Sequence, residues 1–371
     1  TCDMLAKIGP YTFIIDWKGF PLETPIPTPS GWTSMRTIKV GDKVFGADGK
    51  IYPVVGVSQP RLQPAFRIVF DDASSIIADA GHLWNVSSGE SSFYYNKATV
   101  TTSDLSRLVY GKYGQRQLRI FNTAPLHLPE SVLPVEPYTL GAWLGDGTKT
   151  SGAITGMDTE VFHEIEKAGF LLSNPYGKTS GKASTRYVRG LRTRLRKNSV
   201  LGTRTVPCEY LRGSEFQRLA LLQGLMDTDG TWNRVRNRAE FTTTTKPLAD
   251  VVGELVSTLG WRYNYWTGKY RGFGTQGTQH RIEFRPFGLI PFRVQRKARG
   301  AIDDAATDRP FVHRRRRLIH SVEPVPKIVT KCISVASPDQ TYLVGRQMLP
   351  THNTSKAVYS DYWLQIEAYN H

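Results

Sequence analysis

A short stretch near the end of the chain, Pro350-Thr351-His352-Asn353-Thr354, has side chains that can cut and rejoin a polypeptide backbone. The Asn353 side-chain amide can attack its own main-chain carbonyl, form a succinimide and cut the chain after itself. The His352 imidazole can protonate the departing amide nitrogen, and the Thr354 hydroxyl can accept an acyl group. Because the same residue types are common in surface turns, this chemistry needs support from the rest of the sequence.

The chain has 371 residues, which is enough for roughly two or three domains with cores of their own. Its formal net charge of +16 indicates a polyanionic partner, most simply a nucleic acid. Three cysteines (Cys2, Cys208 and Cys332) are too few and too scattered for a disulfide framework, and no Cys-x-x-Cys metal spacing occurs. We find no apolar run long enough for a membrane span and no signal peptide. These features predict a cytoplasmic protein without a membrane partner.

The elements that must position these residues change type along the chain. Short β runs broken by turns extend from about 40 to 130 and return at 320–350. Between them, residues 138–144 and 216–226 have helical apolar spacing, and each segment ends in Asp-Gly. These segments recur at a spacing of roughly 80–90 residues, which suits one small α+β unit per copy. The pattern predicts an all-β domain interrupted by an α+β domain with a pseudo-twofold repeat.

The two ends of the chain resemble one protein when they are joined. A strand ending in Asp16 and Lys18, followed by a helix with Gln365 and Tyr369, resembles the RecB-type branch of the PD-(D/E)xK nucleases. The resemblance implies that residues 1–18 and 354–371 are nuclease fragments. It also implies that Asp3 and Asp16 hold a metal ion and that Lys18 assists the attacking water.

The segment between these ends, residues 19–353, resembles an intein, a self-splicing insert. The matching motifs are Val40-Gly41-Asp42, Ala78-Asp79-Ala80-Gly81-His82-Leu83-Trp84, Thr330-Lys331-Cys332-Ile333, Tyr342-Leu343-Val344-Gly345-Arg346 and Pro350 to Thr354. Their order and spacing carry the resemblance. It implies a Hint-type splicing domain formed by residues 19–131 and 312–353, which needs no cofactor to splice.

The first intein residue departs from the usual pattern. Gly19 has no side chain that could attack the preceding carbonyl, so the chemistry needs an internal nucleophile. The set Trp84, Cys332 and Thr351 resembles the class three inteins, in which an internal cysteine does this. Pro21 is an alternative first residue, but only the cut before Gly19 restores Asp-Trp-Lys-Thr in the joined flanks.

The resemblance implies a sequence of steps. Cys332 attacks the Lys18 carbonyl and expels Gly19, while His82, oriented by Asp79, protonates the departing nitrogen. Trp84 and Thr351 position Cys332. Thr354 then takes the acyl group, Asn353 cyclises with help from His352, and a shift from oxygen to nitrogen joins Lys18 to Thr354. Each residue also has a structural interpretation: Trp84 as plain core, His82 as a satisfied buried histidine, and Cys332 as a small apolar filler.

The two helical segments resemble the paired LAGLIDADG helices of homing endonucleases, which assigns residues 132–311 to an endonuclease domain. Small residues let the helices pack backbone to backbone, which brings Asp146 and Asp229 together at their ends. This pair is expected to bind Mg²⁺ for the cleavage of double-stranded DNA. Asp-Gly after a helix is also an ordinary helix end. Lys246 resembles the lysine that supports the water network of these enzymes.

Basic residues after each helical segment predict the DNA-binding surface. Two sets alternate in sequence and would share one face if each formed a strand. The sets are Arg192, Arg194, Arg196 and Arg234, Arg236, Arg238. A charged edge strand in solvent is the alternative. The run at 314–317 is either a DNA contact or a solvated linker, and we interpret it as a linker with incidental affinity for phosphates.

We therefore expect a monomer of phage or bacterial origin that splices itself and cuts DNA. Three other functions remain open: a splicing protein whose endonuclease domain binds DNA without cutting, an RNA-binding maturase, and a chain that cleaves its junctions without joining them.

Overall fold

The computed structural model describes residues 4–8, 11–15, 18–88, 96–111, 114, 116–176, 183–272, 275–306 and 315–353. Asp3, Asp16, Thr354, Gln365 and Tyr369 lie outside these ranges, so their assigned roles are not addressed by the structure. Strands β1 (Met4–Ile8) and β2 (Tyr11–Ile15) form an antiparallel pair. They precede the Lys18–Gly19 bond, which we call the first junction.

Short strands make up most of the chain between Gly19 and residue 131. They are β3 (Phe20–Pro21), β4 (Pro25–Thr28), β5 (Gly31–Ser34), β6 (Lys43–Phe45), β7 (Ile51–Val57), β8 (Arg61–Phe70), β9 (Ser75–Asp79), β10 (Leu83–Ser88), β11 (Asn96–Thr101) and β12 (Arg119–Phe121). One helix, α1 (Thr102–Leu108), interrupts them. The prediction of an all-β domain is therefore wrong at this element. Thr101 and Asp104 form a capping box there, and Leu105 is buried.

The following segment alternates helices and strands. Its elements are α2 (Pro137–Asp146), β13 (Ala153–Gly156), α3 (Thr159–Lys167), β14 (Ser184–Tyr187), α4 (Leu191–Lys197), α5 (Cys208–Leu211), α6 (Glu215–Asp229), β15 (Gly230–Asn233), β16 (Arg238–Thr243), α7 (Lys246–Thr258), β17 (Tyr263–Gly272), β18 (Thr275–Phe284) and α8 (Gln295–Ala306). We call residues 132–311 the insert. No helix in the described part of the chain is long and apolar enough to cross a membrane.

The strands after the insert return to the sheets before it. They are β19 (Arg316–Lys331), β20 (Ile333–Val335), β21 (Thr341–Val344) and β22 (Leu349–His352). The largest sheet has seven strands in the order β11-β10-β12-β19-β8-β9, with β3 also paired to β19. Because β19 lies between β12 and β8, strands from both sides of the insert share this sheet. We call the resulting unit the β domain.

The basic run at 314–317 is not a solvated linker where the structure describes it. Arg316 and Arg317 lie in β19 and are buried. The Arg317 guanidinium donates to the Asp72 carboxylate over 2.7 Å, and Asp72 is buried as well. The interpretation from charge alone was wrong because a buried arginine paired with a carboxylate and a run of exposed arginines look the same in sequence.

Helices α2 and α6 pack backbone to backbone at the centre of the insert. A Cβ built on Gly224 would overlap the carbonyl oxygen of Tyr138 and lie 2.7 Å from the Ala142 nitrogen. On the facing helix, a Cβ on Gly141 would lie 2.9 Å from the Leu225 nitrogen. Only glycine permits this approach, and the helix ends are held close together as a result.

Replacing Gly224 by alanine is expected to lower the free energy of unfolding of the insert by about 1–3 kcal/mol, because the new methyl group must push the two helices apart. Urea denaturation followed by far-UV circular dichroism measures this. Gly268→Ala is the matched control, since a Cβ there would meet only Gln279, at 3.8 Å or more. Equal stability of the two variants would contradict the close packing.

Candidate functional site

The backbone at Lys18–Gly19 lies against the segment that carries Cys332. The Gly19 N–H donates to the Asp79 carboxylate, and the Asp79 N–H donates to the Gly19 carbonyl over 3.1 Å. A Cβ on Gly19 would overlap the Lys331 carbonyl and lie 3.0 Å from the Cys332 nitrogen. Lys18, Gly19, Asp79 and Cys332 all line one cleft. The glycine thus leaves room for the Cys332 segment to approach the junction.

The His82 side chain bridges the two halves of this site. Its Nε2 is hydrogen-bonded to the Thr351 hydroxyl, and the ring also forms a hydrogen bond with the backbone of Lys18. Its ring centroid lies 4.3 Å from that of Phe20. Burial, helped by the charges of His352 and Lys18, lowers the pKa of His82 to about 3, although the hydrogen bond to the Lys18 backbone acts in the opposite direction. The imidazole is therefore neutral at pH 7.

The depressed pKa of His82 predicts that acid destabilises the β domain. Below the ordinary value of 6.5, the unfolded chain binds a proton that the folded chain cannot bind until about pH 3. The free energy of unfolding should fall by about 2 kcal/mol between pH 7 and pH 5 from this group alone. The measurement compares a chain carrying Cys332→Ala and Asn353→Ala with the same chain carrying His82→Gln as well.

His163→Gln serves as the control for this prediction, because His163 is exposed on α3. If the His82→Gln chain loses as much stability toward acid as its parent, His82 is not the buried neutral group described above.

Trp84 acts on the turn that carries His82. Its indole N–H donates to the Thr102 hydroxyl over 3.0 Å, and that hydroxyl donates to the His82 carbonyl over 3.2 Å. The His82 and Trp84 ring centroids are 5.2 Å apart. Thr102 was not singled out from the sequence, since a buried threonine at the start of a helix has no distinctive local pattern.

The bond after Asn353 is the second junction, and contacts to the side chain and backbone of Asn353 hold the chain in place there. Asn353 Nδ2 donates to the Val335 carbonyl over 2.6 Å, and the Asn353 N–H donates to the Gln340 carbonyl over 2.7 Å. His352 Nδ1 lies 2.7 Å from the carbonyl oxygen of Asn353. Asn353 itself is buried. These contacts fix the amide nitrogen and place an imidazole on the carbonyl that would be attacked.

One short segment, residues 331–335, therefore touches both junctions. Its first peptide bond packs on Gly19, and its last carbonyl accepts from Asn353. Ser58 holds the segment in place: its hydroxyl accepts from the Cys332 N–H over 2.9 Å, and its N–H donates to the Cys332 carbonyl over 3.0 Å. Ser58 was also missed at the sequence level, because nothing near residue 58 indicates a partner so distant in the chain.

A second site forms where α2 and α6 end. The carboxyl groups of Asp146 and Asp229 are close enough for the charge of Asp229 to act on Asp146. Desolvation, followed by that charge, raises the pKa of Asp146 to about 6. Asp229 reaches the surface, yet desolvation by the packed helix ends raises the pKa of its carboxyl too. Two carboxylates held this close favour a shared cation.

Each helix end beside the acid pair is capped by a basic side chain. The Lys297 ammonium donates to the carbonyls of Asp227 and Gly230 over 2.7 and 2.8 Å, and to two further carbonyls of the last turn of α6. The Arg204 guanidinium donates to the Leu144 and Gly147 carbonyls at the end of α2. Both charges act to lower the pKa values of the two acids. Neither residue was found from sequence, because each lies far along the chain from the helix it caps.

Lys246, which the sequence assigned to this site, has a different neighbour. Its ammonium lies 2.6 Å from the Asp250 carboxylate, one turn along α7, and its side chain is mostly exposed. The charged groups that act on the acid pair include Lys297 and Arg204, not Lys246. The structure therefore does not bring Lys246 to Asp146 and Asp229.

Neither set of arginines forms the predicted strand face. Arg192, Arg194 and Arg196 lie on helix α4, because Leu191 and Leu195, four residues apart, are its buried positions. On a helix, Arg194 faces away from the other two, and its guanidinium lies 5.3 Å from the centre of the Phe170 ring.

Arg234 and Arg236 lie in the turn between β15 and β16, and only Arg238 is in a strand. The Asn233 side chain accepts from the Arg236 N–H over 3.0 Å, which stabilises this turn. Arg236 and Arg238 lie 3.4 and 3.2 Å from the buried carboxylate of Glu283. The arginines alternate in the sequence, but the structure does not place either set together on one strand.

Comparison with known proteins defines the class of the insert. A family model described as a LAGLIDADG-like domain matches residues 216–285, which run from α6 through the four-stranded sheet β15-β16-β18-β17 and include Asp229. The matched residues lie in the insert, between the strands of the β domain. Together with the two junctions held on one segment, this match supports a self-splicing, DNA-cleaving enzyme.

Two curated relatives are similar to the chain in sequence. The replicative DNA helicase DnaB of Mycobacterium intracellulare is 34% identical over 367 residues, which cover 91% of this chain and 59% of the relative. The DnaB helicase of Mycobacterium leprae (strain TN) is 41% identical over 73 residues, or 19% of this chain and 12% of the relative. The chain therefore spans less than two thirds of either relative.

Solved structures give more distant matches. The crystal structure of the MchDnaB-1 intein has 16% identity and a TM-score of 0.31, and it covers 90% of this chain and 99% of its own. The structure of I-DmoI in complex with DNA and Mn has 15% identity and a TM-score of 0.30, and it covers 49% of this chain and 96% of its own.

Proposed function

We propose that residues 19–353 form a class three intein, which excises itself and joins Lys18 to Thr354. The observation that carries this proposal is the contact of one segment, residues 331–335, with both junctions. A reaction that exchanges acyl groups between two distant peptide bonds requires both bonds beside one nucleophile. Cys332 is the nucleophilic side chain in this segment.

The first step takes place at Lys18. The Cys332 thiolate attacks the Lys18 carbonyl carbon, a carbon–sulfur bond forms, and the bond to the Gly19 nitrogen breaks. His82 reaches the backbone of Lys18 as a neutral imidazole, takes up the proton that the Cys332 thiol releases and passes it to the departing Gly19 nitrogen. Asp79 orients that nitrogen through the Gly19 N–H. Trp84 and Thr351 hold His82 in place.

The remaining steps transfer the acyl group and release residues 19–353. The Thr354 hydroxyl attacks the thioester, which forms an ester and restores the Cys332 thiol. Asn353 Nδ2 then attacks its own carbonyl carbon, polarised by His352, and the bond to the Thr354 nitrogen breaks. The freed amine of Thr354 displaces its own ester oxygen, which leaves an amide between Lys18 and Thr354.

We propose that the insert cuts double-stranded DNA at one site with Asp146 and Asp229. Two carboxylates suit a hard divalent cation such as Mg²⁺, which when bound supplies Lewis acidity at the scissile phosphates. Among the described residues there is no cluster of three or more His, Cys, Asp or Glu side chains, so water and DNA oxygens would complete the ligand set. The exposed arginines Arg192, Arg196 and Arg234 are available for phosphates.

The flanks belong to a host protein that splicing restores. The proposed host is the RecB-type nuclease that residues 1–18 and 354–371 resemble, with Asp3 and Asp16 as metal ligands. The DnaB relatives make a replicative helicase the alternative host. We propose a monomer that acts in the cytoplasm of a bacterial cell and has a phage or bacterial gene.

Mass spectrometry of the freshly expressed chain tests splicing. A joined peptide consisting of residues 1–18 and 354–371 is the expected product, beside an excised chain of residues 19–353. Two separate flanking peptides would mean cleavage without joining, and an intact chain at long times would refute the proposal.

Incubation of the excised protein with plasmid DNA in Mg²⁺ tests the endonuclease. The plasmid carries the host gene without the segment that encodes residues 19–353, and linear product is expected. Binding in a gel shift without linear product would identify the alternative, a splicing protein with an inactive endonuclease domain. A preference for structured RNA over duplex DNA in the same assay would favour the maturase.

A further inference from the structure

Tyr342 carries a buried hydroxyl that the proposed steps do not use. The residue is fully buried in β21, and its Oη has no hydrogen-bond partner among the described residues. Burying a hydroxyl without a partner costs free energy, so a phenylalanine would stabilise this position better. An unpaired buried polar group of this kind calls for an explanation, and a role in the reaction is one.

The strand register directs Tyr342 toward the splicing site. Tyr342 is the cross-strand partner of Thr351, so the two side chains lie on the same face of the β21–β22 pair. Thr351 is bonded to His82 on that face, and the Tyr342 ring lies edge-on to Phe20 with centroids 6.4 Å apart. The Tyr342 side chain therefore lies on the face of the β21–β22 pair that carries the bond to His82 and that faces Phe20, which follows Gly19 in the chain.

Two reactive groups are near enough to act on this phenol. Burial raises the pKa of Tyr342 most, and the charges of Cys332 and Asp79 raise it further. Tyr342 consequently keeps its proton at neutral pH and acts only as a donor. Asp79 already accepts the N–H of Gly19, whereas the Cys332 sulfur carries its negative charge only when it is ready to attack.

We propose that the Tyr342 hydroxyl donates a hydrogen bond to the Cys332 sulfur in its thiolate form and so positions this sulfur beside the Lys18 carbonyl. This inference rests on the proposed function. No proton is transferred by Tyr342, because its O–H bond stays intact while the sulfur lone pair forms the bond to carbon. A donor to the sulfur stabilises the negative charge that it carries as it attacks. Tyr342 is thus a positioning residue.

The test compares Tyr342→Phe with Tyr52→Phe in the full chain. Tyr52 belongs to the same domain, and its hydroxyl donates to the surface carboxylate of Asp48, so its loss should leave splicing unchanged. Tyr342→Phe should slow formation of the branched thioester about 10- to 100-fold at pH 7, the usual effect of losing a hydrogen bond to a charged group.

Two further measurements separate this role from a structural one. In a Cys332→Ala chain, adding Tyr342→Phe should leave the rate of Asn353 cyclisation within about twofold, and the free energy of unfolding should be equal or higher. Equal branching rates of wild type and Tyr342→Phe overturn the inference alone. Loss of stability with equal slowing of both junctions also overturns it. A wild-type chain that splices without a branched thioester overturns the proposed function and this inference together.

Discussion

A chain with Cys332→Ala is expected to form no branched thioester and to lose cleavage at the first junction by at least about 1,000-fold, the usual scale for removing a catalytic nucleophile. The physical reason is that Gly19 has no side chain to replace the thiol, and the peptide of Lys331–Cys332 is what packs on that glycine. Denaturing gels and mass spectrometry over time measure both products. Slow cyclisation of Asn353 should persist, since its contacts to Val335 and Gln340 do not involve the thiol.

Cys208→Ala is the matched control for this experiment, because Cys208 is a free, exposed cysteine in the insert. It should splice at the wild-type rate. Normal joining of the flanks by the Cys332→Ala chain would end the proposed mechanism, and a loss of splicing in both variants would point to a general effect of removing thiols.

The second large effect is expected for Asp229→Asn and Asp146→Asn. Each change keeps the shape of the side chain and removes one of the charges that hold the cation, so plasmid cleavage in Mg²⁺ should fall by at least about 1,000-fold. Affinity for uncut DNA should stay within about threefold, because the binding energy comes mostly from arginine contacts with phosphates. Splicing should be unaffected, since both acids lie at helix ends in the insert and the proposed splicing steps use neither of them.

Asp303→Asn is the control, because Asp303 is an exposed acid on α8 in the same domain. It should cut like wild type. Substantial DNA cleavage by either the Asp146→Asn or the Asp229→Asn chain would contradict the proposal that the two acids share a cation. Unchanged cleavage by both variants would show that neither acid takes part in the reaction.

The sequence predicted the features of this molecule that depend on residues close together in the chain. Helix α2 and helix α6 were expected from apolar spacing, and the glycines at 141 and 224 from the need for close packing. The arginines of α4 could have been placed correctly as well. Leu191 and Leu195 have the spacing of a helix, but the prediction followed the alternation of the arginines instead. Burying two leucines contributes more to the choice of structure than the alternation of exposed charges does.

Local sequence patterns could not predict contacts between residues that are far apart in the chain. Lys297 caps the end of α6 from 67 to 71 residues away, and Ser58 holds Cys332 across 274 residues. Such partners leave no pattern in either stretch, because a hydrogen bond needs only one donor and one acceptor brought together by the fold.

The amino-acid sequence alone determined which covalent chemistry is available: an amide that can cyclise, a thiol, and an initial residue unable to react. It also determined the two acids at the ends of glycine-bearing helices. Only the tertiary structure decided that residues 331–335 touch both junctions, that His82 is buried and neutral, and that Lys297 rather than Lys246 adjoins the acids. The reason is that reactivity belongs to a side chain, whereas proximity and desolvation belong to the packed chain around it.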